Sequence, residues 1–101
     1  EKTLYEHLSP LKIRFVEELT DFLRNAYKNG LINPFSTRDL KLIINIIDKL
    51  DDTDLKDINL IMNSIEPITY KLIKHDMFGY PDRSTLDEDI KGAIKEIIKK
   101  L

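Results

Sequence analysis

Arg38 is the side chain whose type and position in the sequence point most directly to chemistry. It stands in the run Asn33-Pro34-Phe35-Ser36-Thr37-Arg38-Asp39-Leu40. Ser36 is a good helix N-cap, and Asp39, three residues on, can reach back to the cap. The pair approximates a capping box with Asp in place of Glu or Gln. Pro34 fixes the approach, and Phe35 precedes the cap, where a hydrophobic staple sits. Arg38 then falls in the first helical turn. A cation there faces the positive end of the helix dipole, a conflict of about 0.3–1 kcal/mol unless a negative group stands nearby. Two groups fit that need. One is Asp39, which makes Arg38 an ordinary exposed, paired arginine. The other is a bound phosphate, because helix N-termini gather anions. Arg83, in Asp82-Arg83-Ser84, is a secondary candidate, with a surface turn residue as its plain reading.

No other residue type and spacing in the chain makes a site. No glycine-rich phosphate loop is present. His7 and His75 lie far apart and belong to no metal-ligand pattern, so no metal site is expected. His75-Asp76 reads as a solvated pair near a helix end. The serines have no activating histidine in their sequence context, which leaves nucleophilic catalysis without support. Asp51-Asp52-Thr53-Asp54 lacks the glycine and closing glutamate of an EF-hand loop and reads as a loop with a helix cap. Tyr5, Tyr27, Tyr70 and Tyr80 do not interleave with arginines as a nucleic-acid platform does. No catalytic residue is assigned, and the chain by itself reads as non-enzymatic.

A length of 101 residues suits one domain, expected over residues 1–101. Apolar residues at 42% and charged residues at 34% suit a globular chain with one modest core. The net charge of −2, with basic residues spread along the chain, argues against nucleic acid and anionic membranes as partners. The absence of cysteine excludes disulfides and thiolate metal sites, and fits the cytoplasm or another reducing compartment. No apolar run reaches the ~18 residues of a membrane span. The chain opens on Glu1 rather than Met, from which a piece of a longer chain is expected.

The elements that must position Arg38 are helical. Glu1 to Leu8 reads as a short turn or lead-in, with Leu4, Tyr5 and Leu8 able to pack on the body. Ser9-Pro10 opens a helix as N-cap and first-turn proline. Leu11, Phe15, Leu19, Phe22, Leu23 and Ala26 line one face of it, and Asn29-Gly30 ends it with Gly30 in the left-handed position. The second helix spans Thr37 to Leu50. Its run of Leu40, Leu42, Ile43, Ile44, Ile46, Ile47 and Leu50 predicts burial on more than one side. A third helix is expected from Asp54 to about Ser64, with a kink or a fresh start near Glu66-Pro67, since interior proline costs about 3 kcal/mol. Phe78 to Arg83 reads as a turn, and Ser84 with Asp87 repeats the approximate capping box before a last helix. Its stripe is Leu86, Ile90, Ala93, Ile94, Ile97, Ile98 and Leu101. Gly92 inside it weakens the helix by up to about 1 kcal/mol relative to Ala and has no explanation in the sequence, a close helix contact being one reason for such a glycine. No stretch alternates as a half-buried strand does, so the expected fold is all-α, a compact bundle of four to five helices.

This order of features resembles the C-terminal helical lid of AAA+ ATPases, especially the midasin, dynein-related and MoxR-like branch. The likeness rests on a long helix ending Phe22-Leu23-Arg24-Asn25-Ala26-Tyr27-Lys28-Asn29-Gly30, then Ser36-Thr37-Arg38-Asp39-Leu40, an Ile-rich helix, a polar break, and Asp82-Arg83 before a final helix. In that branch a Ser-x-Arg-Asp-Leu segment opens a lid helix. The resemblance implies that Arg38 matches the sensor 2 arginine, which approaches nucleotide phosphates from the lid. It also implies ATP as the cofactor of the parent protein, none for this piece alone, and an ATPase core or neighbouring subunits as partners. The chain departs from the pattern in having Lys41-Leu42-Ile43-Ile44, with no aromatic, after Arg-Asp-Leu, and in lacking the Walker motifs. A different class of function also fits the bundle pattern: a self-contained interaction module that grips a partner helix in an apolar groove.

Overall fold

In the computed structural model, residues 6–72 and 83–101 are described, with side chains described in all but 83–87. Four helices follow one another: α1 Pro10–Lys28, α2 Thr37–Asp48, α3 Ile58–Leu72 and α4 Arg83–Lys100. Among the described residues there is no β-strand, and the fold is an all-α bundle. In the ring of packed neighbours, α1 lies against α2 and α4, and α3 lies against α2 and α4. Each helix therefore needs one apolar stripe turned inward, and each supplies it at three- and four-residue steps. The stripes are Phe15, Leu19 and Leu23; Leu40, Ile43 and Ile47; Ile61, Ile65, Ile68 and Leu72; and Ile90, Ile94 and Ile97. Leu8, Ile32 and Leu55 extend the same core from the segments outside the helices.

The ends of α1 form as local chemistry requires. Ser9 caps it, its Oγ accepting the Lys12 amide at 3.3 Å, and Pro10 takes the first position. At the other end Gly30 has φ +75°. Its amide donates to the Tyr27 carbonyl at 2.9 Å, and the Leu31 amide donates to Ala26 at 2.9 Å. These two bonds are a Schellman motif, with Leu31 and Ala26 both packed on the core. The Lys12 ammonium reaches the Asp48 carbonyl at 3.1 Å, setting a cation at the negative end of α2.

Four expectations are corrected. First, α2 is buried along a single stripe, Leu40, Ile43, Ile44 and Ile47, rather than on more than one side. Leu42 is 39% exposed and Ile46 only partly covered. A helix with two packed neighbours in a ring needs no more. Second, α3 begins at Ile58 and not at Asp54. The polar run forms a 3₁₀ turn, Asp52–Lys56, that buries Leu55, and the cap of α3 is Asp57, whose Oδ1 accepts the Leu60 amide at 3.1 Å. Third, of the kink or fresh start expected near Glu66-Pro67, the fresh start does not occur: α3 runs as one helix through Pro67. Proline has no amide to give the carbonyl four residues back, but that residue, Asn63, is exposed, as is Pro67. Water can serve the carbonyl on this face, while Ile65, Ile68 and Leu72 hold the inner face in register. Fourth, α4 starts at Arg83, so Ser84 lies within its first turn. The predicted turn at 78–82 and the pair His75-Asp76 lie outside the described residues.

Gly92 also departs from expectation. A Cβ built on it meets nothing within 4 Å, so no close helix contact requires glycine there. Gly92→Ala is expected to raise stability by about 0.5–1 kcal/mol, because alanine loses less backbone entropy in a helix. Urea denaturation of the two chains measures it. A second gain is expected in α1. Thr20 is 5% exposed and its Oγ1 has no hydrogen-bond partner among the described residues, whereas the buried Thr69 hydroxyl donates to the Glu66 carbonyl at 3.0 Å. Thr20→Val replaces an unsatisfied hydroxyl with a methyl and should add about 1 kcal/mol. Thr69→Val, which discards a made bond, should not.

Candidate functional site at the start of α2

The capping box predicted at Ser36 and Asp39 is present in full. The Asp39 amide donates to Ser36 Oγ at 3.3 Å, and the Ser36 amide donates to Asp39 Oδ2 at 3.2 Å. Ser36 Oγ also donates to Oδ2, at 3.1 Å. Phe35, ahead of the cap, packs on the core cluster that contains Leu40. These bonds hold the first turn of α2 and turn Asp39 inward, where it is 4% exposed.

An isolated carboxylate at that depth is costly, and a long-range partner offsets the cost. The Lys71 ammonium, from the last turn of α3, stands 3.2 Å from Asp39 Oδ1. Burial pushes the Asp39 carboxyl up, but the Ser36 amide, the Lys71 ammonium and the Ser36 hydroxyl together bring it below its ordinary value. A carboxyl lowered in this way stabilises the fold fully above its unfolded value, near 3.9, and the contribution fades as pH falls through the lower folded value. Asp39→Asn should therefore cost about 1–2 kcal/mol at neutral pH and progressively less below about pH 4. Denaturation curves of both chains across that range test this.

The corrected partner of Asp39 changes the reading of Arg38. Asp39 is occupied by Ser36 and Lys71, and Arg38 is exposed with nothing paired to it among the described residues. Arg38 occupies the second helical position. The amides of Thr37 and Arg38 are the two in the first turn that the capping box and helix ladder do not use. Lys41 lies three residues on and is also exposed, so two cations share this edge of the helix. Chemically, the edge can receive an anion: a planar five-donor guanidinium beside free amides at a helix's positive end. Arg83 opens α4, and its side chain is outside the described residues.

Two residues of this region carried no local signal. Lys71 is distant in sequence from Asp39, and Asn33 looked like plain loop. Asn33 in fact binds the end of α3, its amide donating to the Leu72 carbonyl at 2.9 Å and its Nδ2 to the Lys71 carbonyl at 3.1 Å. A helix end leaves its last carbonyls without intrahelical donors, and Asn33 satisfies two of them.

Among the described residues, no group of three acidic, histidine or cysteine side chains could hold a metal ion. None of the described helices is long and apolar enough to cross a membrane. Comparisons with family models, with curated proteins and with solved structures gave no match.

Proposed function

We propose that this chain is the helical lid of an AAA+ ATPase, a non-catalytic module that carries an arginine to the nucleotide phosphates. The observation that supports this most is Arg38: an exposed arginine on a first turn whose backbone a complete capping box holds, with its neighbouring carboxylate taken by Lys71. The all-α ring of four helices and the Ser-x-Arg-Asp-Leu segment agree with the same reading. In this role ATP sits between the lid and a core domain, and closure of the hinge between them follows nucleotide state. Arg38 acts by charge and paired N–H donors on the phosphates. The test is Arg38→Ala in the native polypeptide: ATP turnover should fall while the fold is kept, and unchanged turnover removes Arg38 from this role.

A second reading has its own support. Tyr27, Leu42 and Tyr70 are 47%, 39% and 58% exposed, so the surface is not wholly polar. This favours a module that binds a partner helix without ATP. Substituting these three residues by polar ones should abolish partner capture on that reading, and leave ATP turnover untouched on the first.

A further inference from the structure

The end of α3 and the start of α2 are joined through one residue held at both of its ends. The Lys71 carbonyl accepts from Asn33 Nδ2 at 3.1 Å, and the Lys71 ammonium donates to Asp39 Oδ1 at 3.2 Å. Next to it the Leu72 carbonyl accepts the Asn33 amide at 2.9 Å. Asp39, for its part, holds the Ser36 amide and hydroxyl through the other carboxylate oxygen. The bonds thus close a loop: residue 33 to the α3 end, the α3 end to Asp39, Asp39 to Ser36, and Ser36 back along the chain to 33.

We propose that Asn33, Asp39 and Lys71 form a single cooperative clasp, so that release of the last turn of α3 loosens the first turn of α2, and the reverse. The reason is geometric. If Lys71 swings away, Asp39 keeps its buried position with one oxygen unserved, and a buried carboxylate oxygen that loses a charged donor disfavours the closed arrangement. If Asn33 lets go, two carbonyls at the end of α3 lose their donors and the turn that aims Lys71 frays. Each half therefore holds the other in place. Neighbours in one hydrogen-bond network couple in this way, whereas separate bonds add independently. The groups facing Asp39 in this arrangement are Ser36 on its own turn and Lys71 on α3.

The clasp itself does not depend on ATP. Its use does rest on the lid reading: the clasp would convey a shift at Arg38 to α3, or a shift of α3 to Arg38. The two can fail separately, because the experiment is done on the chain without nucleotide.

Amide hydrogen exchange on three chains tests it: wild type, Lys71→Met and Asn33→Ala, with the Leu23 amide in the core of α1 as the internal reference. Lys71→Met removes only the ammonium and does not touch the bond from the Asn33 amide to Leu72. On the proposal it nevertheless speeds Asn33 amide exchange by about fivefold or more over the reference. Asn33→Ala, which leaves the Ser36 and Asp39 side chains themselves unchanged, should speed exchange of the Asp39 amide by about the same factor. If either amide keeps its wild-type ratio to the reference, the bonds are independent and the clasp is overturned. A loss of global stability moves the Leu23 amide as well, and the ratio corrects for it.

Discussion

Phe15→Ala should lose about 3–5 kcal/mol of folding stability, the largest single loss expected from a side-chain truncation among the described residues. Phe15 is 0% exposed and faces the centre of the ring from α1. Two terms add. The ring's apolar surface is no longer removed from water, and the cavity left behind cannot collapse fully, because the packed side chains of the core hold their positions. A domain of this size has about 5–15 kcal/mol in all, so the variant is left close to unfolding. Phe15→Leu keeps most of the volume and should cost roughly half as much or less. The informative contrast is Leu42→Ala. Leu42 belongs to the same kind of apolar run that predicted burial, but it is 39% exposed, and its truncation should cost about 0.5 kcal/mol. Urea midpoints of the three variants measure the series. Equal losses at Phe15 and Leu42 would contradict the placement of the core.

On the lid proposal, Arg38→Ala should do the opposite: leave the fold intact and lower ATP turnover of the native polypeptide by about 10- to 100-fold. Stability should stay within about 0.5 kcal/mol, since Arg38 is exposed, unpaired among the described residues, and faces the unfavourable end of the dipole. The rate effect is what one charge-assisted pair of bonds to a phosphate contributes, about 1.5–3 kcal/mol. Arg38→Lys separates charge from geometry. It keeps the cation but loses the planar fork, and should recover only part of the rate. Asp39→Asn is the control for indirect effects, because it loosens the first turn and leaves the guanidinium in place.

Three helix ends that depend on near neighbours could be read from the sequence. Ser9-Pro10, Asn29-Gly30 and Ser36 with Asp39 each settle a helix end through bonds within a few residues, and each end is where the pattern put it. The all-α class followed from the same periodicity. What depended on partners far along the chain could not be read. Asp39 and Arg38 are adjacent, and adjacency suggested a pair, but a helix points consecutive side chains in different directions, so Asp39 turns inward to Lys71. The start of α3 was placed at Asp54, but Asp57 is an equally competent cap, and burial of Leu55 in the turn before it favours Asp57. Pro67 was read as a kink or a fresh helix start because its cost is intrinsic, and the relief that lets one helix continue, an exposed Asn63 on the solvent face, is a matter of helix phase. Apolar type alone also could not separate Leu42 from Ile43.

The measurement that bears most directly on the lid is the native polypeptide in its source: its mass by antibody capture, and the peptides that lie upstream of Glu1. The lid reading predicts a much longer chain whose upstream peptides include a glycine-rich Lys-Ser/Thr phosphate loop. A native chain of about this size, with no such loop, contradicts it.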